Sequence, residues 1–167
     1  MSSTGKKAFV AALAILVLAL ITAGCAQQQQ EQQQAGKGKT QTSVAAKLIA
    51  KNFYEFDKAT YDDALKEGKY VFLDFYANWC PICKAEEPEI KAAFNELSTG
   101  NVVGFRVNYN DDQTDENEKA LAKKLGVAYQ HTKIVVAPDE KVVSRTLRQQ
   151  SKQEVLDQIK KSTAAVS

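Results

Sequence analysis

The sequence predicts an α/β domain in which a central mixed β-sheet has helices on both faces. Strand-like apolar runs alternate with amphipathic helical segments over residues 44–161, a stretch with the length of one ordinary domain. The last two strand-like runs, 133–137 and 141–147, flank a short turn that contains Pro138 and therefore predicts an antiparallel hairpin. Alternation that ends in a hairpin indicates a sheet of mixed direction.

The individual elements follow from apolar spacing and from helix-end signals. Strands are predicted at residues 52–56, 70–76, 102–107, 133–137 and 141–147. Helices are predicted at residues 61–67, 81–97 and 115–125, and a capping box of Ser151 and Glu154 opens a last helix. The run 70–76 is almost wholly apolar, which is typical of a strand covered on both faces.

The helix at residues 81–97 is expected to bury one apolar face. Residues at helical spacing supply this face: Ile82, Ala85, Ile90, Ala93, Phe94 and Leu97. Pro88 lies inside the helix and is expected to kink it, because its ring clashes with the preceding turn.

Two cysteines mark the start of this helix, directly after the apolar strand. Cys80 and Cys83 lie in the segment 79–84, which reads WCPICK. Pro81 suits the first helical turn, which puts Cys80 near the N-cap. The free amides and partial positive charge there favour a thiolate, and such settings lower a cysteine pKa from about 8.5 to roughly 3.5–7.5. We therefore expect Cys80 to be the nucleophile and Cys83, one turn on, to resolve a mixed disulfide.

A CxxC motif can also serve a structural purpose, as half of a zinc site or as a permanent disulfide. A closed zinc site needs four ligands, but the chain has three cysteines in all and one histidine, and no second CxxC. A purely structural disulfide would close a loop too short to constrain the unfolded chain much.

The N-terminus predicts export and attachment to a membrane. Lys6 and Lys7 precede the apolar stretch 8–21, which is typical of a signal peptide. The residues TAGC at 22–25 resemble a bacterial lipobox, so we expect cleavage after residue 24 and lipidation of Cys25, with an uncleaved anchor as the alternative. Either outcome places the domain outside the cytoplasm.

The segment that follows predicts a tether of 25–45, ahead of a domain at 46–163. Residues 26–39 are rich in glutamine and carry no apolar residue large enough to pack, as expected for a disordered spacer. Removal of residues 1–24 takes away two lysines and leaves 20 basic against 20 acidic residues. A nearly neutral chain gives no indication of a nucleic-acid partner.

The motif and its surroundings resemble the thioredoxin superfamily. The resemblance rests on the segment 74–84 (DFYANWCPICK), Pro88, the segment 106–108 (RVN) and the pair Gly126 and Val127. It is similar above all to the periplasmic thioredoxin-like domain of transmembrane disulfide-interchange reductases, and it covers about residues 53–159. It implies a thioredoxin-like three-layer fold.

The resemblance also implies an activity and partners. A thiol-disulfide oxidoreductase of this kind acts on protein thiols and disulfides, and as a reductant it is recharged by a membrane electron donor. It uses the Cys80–Cys83 pair in place of a cofactor, and an oxidase or isomerase remains the alternative direction. Glu86 and Glu87, close after the motif, are expected to oppose a very acidic thiolate and so to disfavour a strong oxidant.

Several site residues carry roles over from the family. Asp74, six residues before Cys80, matches a buried acid that exchanges protons with the resolving thiol. A carboxyl in an apolar strand should have a raised pKa, unless it faces the surface. Arg106 matches a lysine that partners this acid and would lower its pKa. Trp79 and Pro81 are expected to contact substrate, whereas Lys84 matches a basic family position or is a solvated helix lysine.

One position departs from the family. A cis-proline is expected five residues after Gly126, where this chain has His131 followed by Thr132. A cis bond before a residue other than proline costs about 3–4 kcal/mol, so the bond before His131 is expected to be trans or strained. His131 and Thr132 would form the backbone edge that docks substrate.

His131 opens further possibilities beside the cysteines. It could act as a base, stabilise the thiolate as an imidazolium, or join Cys80 and Cys83 in an open copper or zinc site for metal delivery. The remaining alternative is an exposed loop histidine.

The stretch at residues 111–118 is rich in carboxylates, which are calcium ligands in many proteins. It lacks the glycine and the closing glutamate of an EF-hand loop. A solvated loop that leads into a helix N-terminus is the preferred interpretation.

Overall fold

The computed structural model describes residues 46–164. Its strands are β1 (Leu48–Ala50), β2 (Phe53–Glu55), β3 (Tyr70–Tyr76), β4 (Val102–Asn108), β5 (Thr132–Val136) and β6 (Val142–Thr146). Its helices are α1 (Lys58–Lys66), α2 (Pro81–Glu96), α3 (Glu116–Lys124) and α4 (Lys152–Ala164). The predicted signal peptide, Cys25 and the tether lie outside the described residues.

The six strands form one mixed sheet in the order β1-β2-β4-β3-β5-β6. β3 lies at the centre, parallel to β4 and antiparallel to β5. β2 is parallel to β4, whereas β1 and β6 are antiparallel edge strands. The predicted hairpin of β5 and β6 is confirmed, and its turn closes with the Glu140 N–H donating to the Ala137 carbonyl at 2.9 Å.

Side-chain alternation along β3 divides the core into two layers. Val71, Leu73 and Phe75 pack with residues of α1 and α3 on one face. On the other face, Tyr70 and Phe72 pack with residues of α2 and α4. The predicted three-layer α/β fold is therefore confirmed, and Asp74 shares the face that α2 covers.

Two elements differ from their predicted form. β1 was not predicted: it has three residues, and only Ala50 is buried, so its sequence has no clear strand pattern. In α2, the predicted apolar face was wrong at its start, because Ile82 and Ala85 are exposed. The buried face instead runs through Cys83 and Glu86 before it reaches Ile90, Ala93 and Phe94.

Two further observations concern the helices. The Glu154 carboxylate accepts from the backbone N–H of Ser151 at 2.8 Å, which is one half of the capping box predicted for α4. Within residues 46–164, no helix is both long enough and apolar enough to cross a membrane.

Candidate active site

The cysteine pair lies at the N-terminus of α2, directly after the central strand. Cys80 is the N-cap residue and Pro81 the first helical residue, as predicted. The Cys80 sulfur accepts from the Cys83 N–H at 3.2 Å. The two cysteines form a disulfide with their Cα atoms 5.3 Å apart, and both are buried. The structure thus shows the oxidised form of a dithiol whose N-cap sulfur is within reach of a helix amide.

A neighbouring loop holds the segment that leads into the motif. The indole Nε1–H of Trp79 donates to the Asn110 carbonyl at 3.0 Å. The backbone N–H of Asn78 donates to the Asp111 carboxylate at 2.8 Å. Trp79 remains 51% exposed, which is compatible with the expected contact surface. The acidic stretch 111–118 did not predict that Asp111 and the preceding Asn110 hold this segment.

The Asp74 side chain is buried beside two cationic residues on adjacent strands. In β3 it is the register partner of Arg106 in β4 and of Lys133 in β5. Burial raises its pKa from 3.8 to about 7, against the lowering effects of Lys133 and Arg106 and with smaller raising effects from Glu86 and Glu87. The prediction of a raised pKa is confirmed, and the alternative of a surface-facing aspartate is wrong.

Arg106 forms its ion pairs with other carboxylates. Its guanidinium lies 2.8 Å from Glu55 and 3.0 Å from Glu87, and 5.0 Å above the ring of Tyr76. It lowers the pKa of Asp74 as expected, but less than Lys133 does. The residue predicted to be the charge partner of Asp74 is therefore the weaker of two.

The stronger partner, Lys133, belongs to a buried ion pair that sequence reasoning missed. Its Nζ donates to Glu86 Oε2 at 2.7 Å and to the Arg148 carbonyl at 2.8 Å. Glu86 Oε1 accepts from the backbone N–H of Gln150 at 2.7 Å. The available signal was a lysine inside the apolar run TKIVV of β5.

His131 lies directly before β5 and next to this pair. Its backbone N–H donates to the Phe75 carbonyl at 2.6 Å, and its φ is +67°. Its side chain is only 12% exposed, so the alternative of an exposed loop histidine is wrong. Nδ1 lies 3.0 Å from Glu86 Oε2 without hydrogen-bond geometry. Burial and then Lys133 lower the pKa of His131, with Glu86 opposing, which favours the neutral imidazole over the imidazolium.

The remaining predicted contact residues differ in accessibility. Pro81 and Lys84 are exposed. Thr132 as a whole is buried and its hydroxyl donates to the Tyr129 carbonyl at 2.7 Å, so its predicted contact with substrate has no exposed surface behind it in this structure.

Metal binding has little geometric support in the described part of the chain. Among residues 46–164, no three His, Cys, Asp or Glu side chains form a group that could hold a metal ion. The set Cys80, Cys83 and His131 is therefore not assembled as a site. In the acidic stretch, Asp115 and Glu118 form a capping box at the start of α3, as expected for a loop that leads into a helix.

Comparisons of the sequence with known proteins identify related thiol-disulfide proteins. The family model for thioredoxin matches residues 52–161. The thiol:disulfide interchange protein DsbE of Escherichia coli K12 is 33% identical over 98 residues, which are 53% of this chain and 49% of DsbE. Protein disulfide isomerase-like 1-4 of Arabidopsis thaliana is 34% identical over 70 residues, which are 42% of this chain and 11% of that protein.

Solved structures show the same fold. Trxlp from Edwardsiella tarda superposes with a TM-score of 0.53 and 27% identity, covering 63% of this chain and 95% of Trxlp. The oxidoreductase DsbH superposes with a TM-score of 0.56 and 15% identity over 77% of this chain and 94% of DsbH. The match to the family model spans well over half of the sequence. The chain therefore belongs to the thioredoxin family.

Proposed function

We propose that this protein is a membrane-tethered, extracytoplasmic thiol-disulfide oxidoreductase that reduces protein disulfides through Cys80 and Cys83. The observation that carries the proposal is the disulfide at the N-terminus of α2, with the Cys80 sulfur on the Cys83 amide. The thioredoxin match over residues 52–161 and the similarity to a thiol:disulfide interchange protein support it. The chain spans about half the length of DsbE.

The first step of the reaction uses Cys80, the N-cap residue of α2. In the reduced protein, the Cys80 thiolate attacks one sulfur of a substrate disulfide. A bond forms between Cys80 and the substrate, the substrate's own S–S bond breaks, and one substrate thiolate leaves. The amides at the start of α2 stabilise the attacking thiolate.

The second step needs a base, because Cys83 is buried and, unlike Cys80, does not lie at the helix N-cap, so nothing there offsets the effect of burial on its thiol. Asp74 supplies the base: its carboxylate takes the proton of Cys83, and a pKa of about 7 allows it to do so near neutral pH. The Cys83 sulfur attacks Cys80, the mixed disulfide breaks, and the second substrate thiolate leaves. Two electrons have passed to the substrate, and the Cys80–Cys83 disulfide remains.

Turnover requires an external dithiol that returns two electrons and two protons to the cysteine pair. The resemblance to reducing domains supports this direction and a membrane donor. The predicted signal, Cys25 and tether support attachment to the outer side of a membrane. Radiolabelled palmitate should label the wild-type chain and not Cys25→Ala, and equal labelling would contradict lipidation at that residue.

Insulin reduction with dithiothreitol as electron source tests the activity. Cys80→Ser should lose all acceleration over dithiothreitol alone, and Cys83→Ser should accumulate a mixed disulfide at Cys80. Lys119→Met, a surface variant in α3, is the control and should behave as wild type. Wild-type turnover by Cys80→Ser would overturn the proposal. The reduction potential of the pair tests direction: a value near that of thioredoxin, about −270 mV, supports a reductant, and one near −120 mV an oxidase.

A further inference from the structure

Lys133 is a lysine with no access to water. Its side chain is fully buried, and a buried lysine needs a partner because an isolated charge is costly in the protein interior. The ammonium donates to Glu86 Oε2 and to the Arg148 carbonyl. Glu86 is also almost fully buried and lies one helical turn after Cys83. The ion pair therefore joins the helix of the cysteine pair to the core of the sheet.

Lys133 also lies next to the proposed proton carrier. In the antiparallel ladder of β3 and β5, Lys133 is the register partner of Asp74. Directly opposed residues project from the same face, at Cβ separations of about 4.5–5.5 Å. The ammonium that pairs with Glu86 therefore belongs to a residue opposite Asp74, and its charge lowers the pKa of Asp74.

The other charges on this face form a separate set of ion pairs, in which the exposed Lys47 also contacts Glu55. Arg106 of β4 pairs with Glu55 of β2 and with Glu87 of α2. Glu87 also receives Lys91, one turn further along α2.

Two titratable groups complete the surroundings of Asp74. His131, before β5, is favoured in its neutral form. Tyr76 follows Asp74 on the same face of β3, and burial raises its pKa further. The charged groups on this face that are buried are therefore Asp74, Glu86 and Lys133.

Hydrogen bonding distinguishes the two carboxylates of this set. Glu86 accepts from Lys133 through Oε2 and from the Gln150 N–H through Oε1. Within residues 46–164, the Asp74 side chain has no hydrogen-bond partner of this kind. Fixed donors therefore hold the Glu86 carboxylate in place, whereas no such donor holds the Asp74 carboxyl.

We propose that Lys133 is a positioning residue for thiol-disulfide exchange: by pairing with Glu86 beside Asp74, it offsets the charge of the neighbouring carboxylate and so sets how readily Asp74 takes up and releases its proton. The inference rests on the proposed function, in which Asp74 serves Cys83. It assigns different tasks to the two acids: Glu86 holds Lys133 in place, and Asp74 carries the proton. Without the ammonium, the Glu86 carboxylate would oppose ionisation of Asp74 without compensation.

Titration by ¹³C NMR of the side-chain carboxyl carbons tests this in the oxidised full chain, independently of turnover. In the wild type, Asp74 should titrate near pH 7. In Lys133→Met, the midpoint of Asp74 should rise by about one pH unit or more, because the lowering effect of the ammonium is lost. In Glu86→Gln, which keeps an acceptor for Lys133, the Asp74 midpoint should fall.

Two further variants sharpen the test. Lys133→Met/Glu86→Gln removes both opposing charges, so its Asp74 midpoint should lie between those of the single variants. Lys119→Met is a matched surface control and should leave the Asp74 titration unchanged. If Lys133→Met does not fold, as judged by circular dichroism, the downward shift in Glu86→Gln decides: a shift supports the proposal, and its absence overturns it.

The inference is overturned if Lys133→Met leaves the Asp74 midpoint in place, or if Glu86→Gln does not lower it. Two different results separate failure of this inference from failure of the proposed oxidoreductase activity. Loss of insulin reduction by Cys80→Ser with unshifted Asp74 titrations would retain the oxidoreductase and reject the role of Lys133. Unchanged insulin reduction by Cys80→Ser would reject the oxidoreductase whatever the titrations show.

Discussion

Lys133 Nζ lies 2.7 Å from Glu86 Oε2, and both side chains are excluded from solvent. Glu86→Ala would leave this ammonium without its counter-ion and the Gln150 N–H without its acceptor. Removing one member of a buried ion pair costs about 3–5 kcal/mol, so the free energy of unfolding should fall by that amount in urea denaturation at pH 7.

Two variants check that this loss comes from the unpaired charge. Glu116→Ala breaks an exposed pair with Lys119 and should cost less than about 1 kcal/mol. Glu86→Met/Lys133→Met replaces the buried pair by apolar side chains and should recover most of the stability. A loss in Glu86→Ala no larger than that in Glu116→Ala would show that the buried pair is not under this constraint.

The raised pKa of Asp74 makes stability depend on pH in a defined direction. Its folded-state pKa of about 7 lies above the ordinary value of 3.8, so the folded state favours the protonated carboxyl. This contribution is fully present below pH of about 4 and is lost as the pH rises through about 7. A shift of about three pH units corresponds to about 4 kcal/mol, since each unit is worth 1.36 kcal/mol.

The measurement is the free energy of unfolding of the oxidised protein between pH 4 and 9, compared with Asp74→Asn. Glu118, with a pKa raised to about 7, and His131, with a lowered pKa, also contribute to the wild-type curve. Both are present in the variant, so the difference between the two curves isolates Asp74. That difference should shift against the wild type as the pH rises from about 4 to about 7 and stay level above it, and a difference independent of pH would contradict the raised pKa.

Gly104 of β4 lies against Phe94 of α2 and Phe53 of β2. A Cβ at this position would lie 2.4 Å from Phe94 Cζ and 2.6 Å from Phe53 Cδ2, and these two rings are stacked with centroids 5.0 Å apart. Gly104→Ala should therefore lower the free energy of unfolding by about 1–3 kcal/mol or more through overpacking. Gly100→Ala is the control, because a Cβ there has no atom within 4 Å. Equal thermal midpoints for the two variants would contradict the prediction.

The fold and the central chemistry could be predicted because their signals are local. The apolar run of β3 and the motif at the start of α2 are contiguous in the sequence, and Asp74 lies within that strand. Burial alone then raises its pKa, which needs no knowledge of the neighbouring strands.

What could not be predicted depends on contacts between distant segments. The pair of Glu86 and Lys133 joins residues 47 positions apart, and it forms only because β5 pairs with β3 and α2 turns Glu86 toward the sheet. The spacing of apolar residues suggested that Ile82 faces inward, whereas the polar Glu86 is buried because a lysine meets it there.

The loop after β4 should affect substrate affinity more than the chemical step. Asp111 accepts the Asn78 N–H, and the adjacent Asn110 carbonyl holds the Trp79 indole. Asp111→Ala removes one of these anchors, and loss of a hydrogen bond to a charged group is worth about 1.5–3 kcal/mol. With Cys80 and Cys83 untouched, we expect KM for insulin to rise about tenfold, which corresponds to about 1.4 kcal/mol, while kcat changes little.

Asp112→Ala provides the matched control for this loop. Asp112 contacts only the exposed side-chain amide of Asn78, so its removal should leave both constants near the wild-type values. Tryptophan fluorescence should report greater solvent exposure of Trp79 in Asp111→Ala alone, because it is the only tryptophan in the chain. A fall in kcat with KM unchanged would show instead that the loop acts on the cysteine pair, since a loop that merely orients the contact surface leaves the reacting sulfurs as they are.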